Sequence, residues 1–238
     1  MDQFTYTDIF DTKGIEYLIV IAFLLLIIPF WIMLNRPVRL KTRLIETAGA
    51  LTAGILRIPR GLFFSRNHTW SQLEGSGLAR IGMDDLLLHL TGGVEVGFLQ
   101  SQGEKVSRGD VVARIIQGNK ELKITSPISG EIEQVNTGLG ESPGVVNEDP
   151  YGSWLYRIRP DKWQEETSKS YLAGEASQWM EGELSRFKDF LAGALAGGDT
   201  PASEPVLQEG GELVDFPLSG MEQKVWSAFQ AKFLDRRE

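Results

Sequence analysis

Lys120 stands beside a Gly118-Asn119 pair in the stretch RIIQGNKELKITSPISGEI, residues 114–132. A Gly-Asn pair between two short β-like runs predicts a tight hairpin turn, because both residues tolerate positive φ. An amine at a hairpin tip can be acylated, which makes Lys120 a candidate attachment point for a swinging cofactor. An ordinary solvent-facing lysine is the plainer reading. The remaining titratable groups assemble no catalytic set. His68, in HTW, reads as an early strand residue packed beside Trp70. His89, in DDLLLHL, falls on a short helix whose first turn is Asp84-Asp85, where negative charge complements the helix dipole. Glu148 and Asp149 are suited in type to acid-base work, but beside the Pro-Tyr-Gly turn Asn147 and Asp149 are expected to hydrogen-bond the local backbone. No nucleophile, base and oxyanion group fall into a recognisable pattern, and no phosphate-binding glycine loop is present. No catalytic residue is predicted, and the chain is not read as an enzyme.

Composition narrows the classes further. Two histidines and no cysteine leave no disulfide, no thiolate metal site and no Cys nucleophile, so no metal site is predicted. A formal charge of −8, from 24 Lys+Arg against 32 Asp+Glu, argues against nucleic-acid binding, which needs clustered cations to replace phosphate counterions. From Asp161 onward there are 8 Lys+Arg against 15 Asp+Glu, a local charge of −7, so the acidity belongs to the tail.

Three kinds of element must position these residues. Residues 17–34, YLIVIAFLLLIIPFWIML, contain eighteen positions without a charge. As a helix they would cover roughly 27 Å, close to the thickness of a bilayer core, and a transmembrane helix is predicted there. Arg36, Arg39, Lys41 and Arg43 follow it, whereas Lys13 alone opposes Asp2, Asp8, Asp11 and Glu16 before it. The positive-inside bias then places residues 1–16 outside and the rest in the cytoplasm, giving a single-pass protein of the inner membrane. Residues 35–61 are a basic connector, in which LIETAGALTAGIL (44–56) either lies along the membrane surface or packs on the next domain. From residue 62 to residue 160 the texture changes to short alternating runs, GLARIG, VEVGFL, DVVARII, LKITS and GEIEQV, separated by EGSG, SQGEKVSRGD, QGN and SPISG. Many short strands closed by tight turns predict a mainly β domain, a small barrel or sandwich.

In this region FFSRNHTWSQLEGSGLARIGMDDLLLHL, GEKVSRGD, TSPISGEIEQVN and SPGVVNEDPYGSWLYRIRP resemble, in order and spacing, successive blocks of the glycine cleavage system H protein family. The resemblance implies a flattened, lipoyl-domain-like barrel of two β-sheets in which one hairpin presents a lysine. In that family the lysine lies in a segment of the form E-S-V-K-A, carries lipoate and shuttles an aminomethyl group between partner enzymes. Counting forward from Gly103 or back from Pro127, the family's lysine aligns with Asn119, so the E-S-V-K-A segment falls on Ile116 to Lys120. A carboxamide cannot form the amide that joins lipoate to a lysine. Lys120 could substitute only if the hairpin slipped by one residue, which would reverse its side-chain faces.

The tail reads as an amphipathic helix within residues 161–196, with Tyr171, Leu172, Trp179, Met180, Leu184, Phe187, Phe190 and Leu191 at three- and four-residue steps and a break near Gly174 or Gly182. An acidic linker of linker-like composition spans 197–218, and a final helix within 219–238 bears Val225, Trp226, Phe229, Phe233 and Leu234 on one stripe. That stripe is read as a partner-binding surface, since aromatic residues are enriched in hot spots. The reading that accounts for anchor, Asn119 and tail together is a membrane-tethered, non-lipoylated H-protein-like scaffold without a cofactor, which holds other protein subunits at the cytoplasmic face. The alternative is a lipoyl carrier, glycine-cleavage-like or redox- or sulfur-related, modified at Lys120.

Overall fold

A computed structural model describes residues 17–28, 50–141, 144–196 and 213–236. The chain divides into two compact units, Met1–Thr47 and Ala48–Glu238.

Of the first unit, residues 17–28 form a helix, α1, whose apolar side chains are exposed along its whole length. The remainder of the expected span, residues 29–34, lies outside the described residues, as do residues 1–16 and 35–49. Among the described residues no helix is long and apolar enough to cross a membrane.

The second unit contains two antiparallel sheets over one core, with helices around them. The larger sheet has the order β2-β3-β4-β10-β9-β6, built from Phe63–Phe64, Thr69–Leu73, Ala79–Met83, Tyr156–Pro160, Gly130–Val135 and Lys105–Val106 respectively. The smaller sheet is β5-β7-β8, from Glu95–Phe98, Val111–Gln117 and Lys120–Thr125. Strands sit where alternating runs were predicted, because period-2 apolar residues put one face of each strand in the core. Ala113, Ile115, Leu122, Ile124 and Ile132 are all buried. Short helices follow the turns: α2 (Asp85–Thr91), α3 (Gly138–Glu141), α4 (Val145–Glu148) and α5 (Trp163–Thr167). Asp84 caps α2, its carboxylate accepting from the Leu87 amide at 2.8 Å.

The tail differs from expectation in three ways. Helix α6 runs unbroken from Ala173 to Ala196, straight through Gly182. Its stripe of Ala176, Met180, Leu184, Phe187 and Leu191 is buried, and that apolar burial outweighs the roughly 1 kcal/mol cost of an interior glycine. The connector, where described, packs on the domain, one of the two readings given for it: it forms β1 (Ala50–Leu51), which pairs with β11 (Leu213–Val214), and Leu51 is fully buried. Most of the predicted linker lies outside the described residues, but its end, β11 onward, is part of the core. Finally, α7 (Gln223–Phe229) passes into a π-helical turn, Gln230–Leu234, and packs on β8.

Close packing of Trp70 inside the larger sheet depends on a glycine. Trp70 and Gly82 are directly opposed on β3 and β4, and the indole lies over the bare Cα, with Nε1 donating to the Met83 carbonyl at 2.8 Å. A Cβ at residue 82 would meet the indole at 2.6 Å. Gly82→Ala should therefore destabilise the domain by about 1–3 kcal/mol through overpacking. Urea denaturation should show the loss as a lower midpoint with an unchanged m-value.

Candidate functional site

The hairpin that holds the candidate lysine joins β7 and β8, with Gln117 directly opposite Lys120 and a two-residue turn between them. Gly118 takes φ of 62°, whereas Asn119 does not enter the positive-φ region. One left-handed residue at the first turn position is enough to reverse the chain in the sense that matches strand twist. The register is therefore tight, and no slip brings Lys120 to the tip. Asn119 is exposed there. At the hairpin's base the Gln117 side chain donates to the Thr91 and Gly93 carbonyls at 2.9 and 3.1 Å, fastening β7 to the end of α2.

Lys120 is not an ordinary solvent-facing lysine. Its ammonium donates to the Ser219 carbonyl at 2.5 Å and sits 4.9 Å above the centre of the Trp226 ring. Partial desolvation there lowers the amine's pKa from its ordinary value. Trp226 is in turn held by its Nε1, which donates to the Leu218 carbonyl at 2.7 Å. On the same strand the Lys123 amide donates to Gln230 Oε1 at 2.8 Å, and Gln230 Nε2 donates back to the Lys123 carbonyl at 3.2 Å.

The stripe expected to bind a partner is instead the seal between this C-terminal segment and the chain's own barrel. Trp226, Phe229, Phe233 and Leu234 are 0–1% exposed, and Val225 packs against the same core at partial burial. Phe229 and Phe233 stack at 4.8 Å, and both meet Phe187 and Phe190 of α6. Their helical spacing gave the correct face but could not say whose surface covers it. Burial of the four large side chains is worth roughly 6–12 kcal/mol before entropy. This stripe offers no free surface for a partner.

The C-terminal segment is also fastened by a buried charge cluster that no sequence pattern indicated. His68 lies in the turn ahead of β3, at φ of 56°, and stacks on Trp179 of α6 at 5.2 Å instead of packing beside Trp70. Its Nδ1 is 2.8 Å from the Asp84 carboxylate, and both residues are fully buried. Nε2 faces Glu183 at 3.8 Å. Glu183, itself buried, accepts from Arg186 on α6 and from Arg236 at the far end of the chain, at 2.6 and 2.9 Å. Burial alone would disfavour the His68 cation, but the two carboxylates outweigh it and push its pKa up to about 9. Burial likewise opposes ionisation of Glu183, yet His68 and Arg186 hold its pKa below the ordinary value. A second latch joins His89 to Asp215 at 2.8 Å, with Asp85 at 3.7 Å. The sequence signal for these pairs was limited to the identities of the only two histidines.

Near the Pro-Tyr-Gly turn the Asp149 carboxylate is structural. Asp149 accepts from the Gly152 amide at 3.0 Å, a local bond as expected. Asn147 instead reaches across to the Leu88 and Gly92 carbonyls, where it closes the end of α2. Among the described residues no group of acidic and histidine side chains is arranged to hold a metal ion.

Two sheets over one core, with a single tight hairpin projecting from the smaller sheet, are the frame within which known proteins can be compared. Residues 62–182 match the model of the glycine cleavage H-protein family, and the chain belongs to that family. It is 29% identical over 130 residues to a probable glycine cleavage system H protein of Pyrococcus horikoshii, the match covering 55% of this chain and 97% of that protein. It is 31% identical over 130 residues to a probable glycine cleavage system H protein of Thermococcus kodakarensis, with the same coverage. A solved glycine cleavage system H protein of Mycobacterium marinum is 25% identical, with a TM-score of 0.43, over 52% of this chain and 99% of that one. Residues 213–236, which close over the hairpin, lie beyond the region the family model matches.

Two outcomes follow from the charge cluster. Glu183→Gln leaves two arginines and a protonated histidine facing a neutral amide, so it should cost about 3–5 kcal/mol in urea denaturation. The pH dependence has a definite sign. A histidine whose folded pKa is raised stabilises fully below its unfolded value of 6.5 and loses that contribution as pH rises toward about 9. His89, also raised, acts in the same direction. Glu183, lowered, stabilises above its ordinary 4.5 and loses that contribution as pH falls. Asp85, whose carboxyl pKa is pushed up by burial, opposes Glu183 on the acid side, so the expected outcome is on the alkaline side: unfolding free energy should fall as pH rises from 6.5 toward about 9, and His89→Gln should flatten part of that limb.

Proposed function

We propose that this chain is a membrane-tethered, non-lipoylated member of the H-protein family that serves as a binding subunit, holding other protein subunits at the cytoplasmic face of a membrane. The observation behind this reading is Asn119. It occupies the exposed turn of the hairpin, where counting forward from Gly103 or back from Pro127 puts the attachment lysine of the family, and its carboxamide offers no amine for acylation. The neighbouring amine, Lys120, is turned down onto Ser219 and Trp226. Lipoate, the group the family implies, therefore does not fit the residues present, and no carrier step is assigned to them.

The tether rests on the exposed, wholly apolar helix at 17–28, continued in the sequence by PFWIML and followed by four basic residues. Leu18, Leu25 and Leu26 are 67–72% exposed. A helix with apolar side chains on all sides is suited to lipid rather than water. Basic residues after it favour a cytoplasmic location for the H-protein-like domain. The partners bind elsewhere than the C-terminal aromatic stripe, which is already covered.

Intact-mass measurement on the natively expressed protein tests the absence of lipoate. The unmodified mass is expected from cells whose other lipoyl proteins are modified, and a lipoyl-sized increment mapping to Lys120 would replace this reading with that of a carrier. In fractionation, the full chain should stay in the membrane pellet through an alkaline carbonate wash, while a chain lacking residues 17–34 should move to the supernatant. Release of the full chain by that wash would remove the tether.

A further inference from the structure

We propose that residues 213–236 are a built-in cap on the hairpin. They occupy, within the same chain, both the free edge of β8 and the approach to Lys120 that an acyl-transferring enzyme or an edge-pairing partner would require. The proposal deepens the reading of a non-carrying subunit and rests on it for its consequence: the hairpin face is closed, so partner subunits engage another surface.

β8 is an edge strand, last in the order β5-β7-β8. Such an edge presents unpaired N–H and C=O groups on its outer side and is a template for another strand. Here one side-chain amide takes both groups of one residue. Gln230 accepts from the Lys123 N–H and donates to the Lys123 C=O, as the peptide groups of an added strand would. Three residues earlier, the Lys120 ammonium is bonded to a backbone carbonyl of the same segment and lies over the face of the buried Trp226, while the lysine keeps partial exposure. The edge at Lys123 and the Lys120 amine are thus both engaged by one continuous piece of chain.

That piece is seated along its length. Leu213 and Val214 pair with β1. The Phe216 and Leu218 amides donate to the His89 and Leu90 carbonyls, each at 2.9 Å. Phe216 adopts φ of 61°, unusual for a bulky residue, and its ring lies against Gly92, where a Cβ would meet it at 3.1 Å. Arg236, near the other end, is held by Glu183. With fixed points at both ends and a buried aromatic seal between them, the cap is a constitutive part of the fold and not a lid that opens on its own.

Acetylation kinetics on the full-length protein, using an N-hydroxysuccinimide acetate and peptide mass spectrometry, read the closure directly. Lys120 should react at least tenfold more slowly than Lys105, which is exposed on β6. In Trp226→Ala, Lys120 should approach the Lys105 rate. Amide exchange gives a reading that does not depend on removing a core side chain. The Lys123 N–H should be protected in the wild type, and Gln230→Ala should lower its protection at least tenfold while leaving Leu122 and Ile124 unchanged. Equal acetylation of Lys120 and Lys105 in the wild type, or a freely exchanging Lys123 amide, overturns the cap. These readouts involve neither lipoate nor a membrane, so failure of the cap leaves the native-mass and fractionation results to judge the functional reading separately.

Discussion

Glu183 is the carboxylate on which the C-terminal third of the fold converges. It lies on α6 with almost no solvent contact and receives Arg186 from its own helix, Arg236 from the end of the chain and the His68 face from the turn before β3. A buried carboxylate tolerates such a position only when positive charge and hydrogen bonds replace its lost hydration. Glu183 therefore stays ionised in this position because His68 and Arg186 hold its charge. His68 in turn needs Asp84, and Asp84 caps α2. One ionic arrangement thus connects strand β3, helices α2 and α6, and the last residues described.

Around that arrangement the aromatic residues supply most of the adhesion. Phe187 and Phe190 on α6 interleave with Phe229 and Phe233, and Arg186 and Arg236 lie beside the Phe233 ring at 4.6 and 5.8 Å. The charges determine where the segment ends, while the rings determine how firmly it is held. The functional consequence falls on the hairpin, since the segment so anchored must cross β8 to reach α6. Membership of the H-protein family accounts for the barrel and for the presence of a projecting hairpin. The closure of that hairpin is contributed by residues outside the family region.

How much of this was legible beforehand depended on whether the deciding contacts were local. The β7–β8 hairpin was readable because Gly118-Asn119 and the flanking alternation act within a few residues, although only Gly118 takes the left-handed conformation. Asp84 as a helix start was readable because a cap bonds three residues onward. The short strands were likewise visible, since apolar alternation is written into runs such as Gly130–Val135 and the turns that bound them are local. By contrast, His68 was expected beside Trp70 and instead stacks on Trp179, 111 positions later in the chain. Asn147 was expected to bond locally and instead closes α2. Both errors arise because side chains with several hydrogen-bonding or stacking options choose among them by what the fold brings near.

By itself the sequence determined the class of domain, the apolar character of residues 17–34, the acidic tail and the presence of a carboxamide at position 119 beside the turn glycine. Each is a matter of residue identity or short-range spacing, and none depends on which surfaces meet. Only the tertiary structure decided that Lys120 is bonded to Ser219 and lies over Trp226, and that the C-terminal stripe belongs to the chain's own barrel. Helical periodicity shows that a face must be buried but is silent on what buries it. The answer came from contacts about 100 residues apart along the chain, Lys120 with Ser219 and Lys123 with Gln230, which no local pattern encodes.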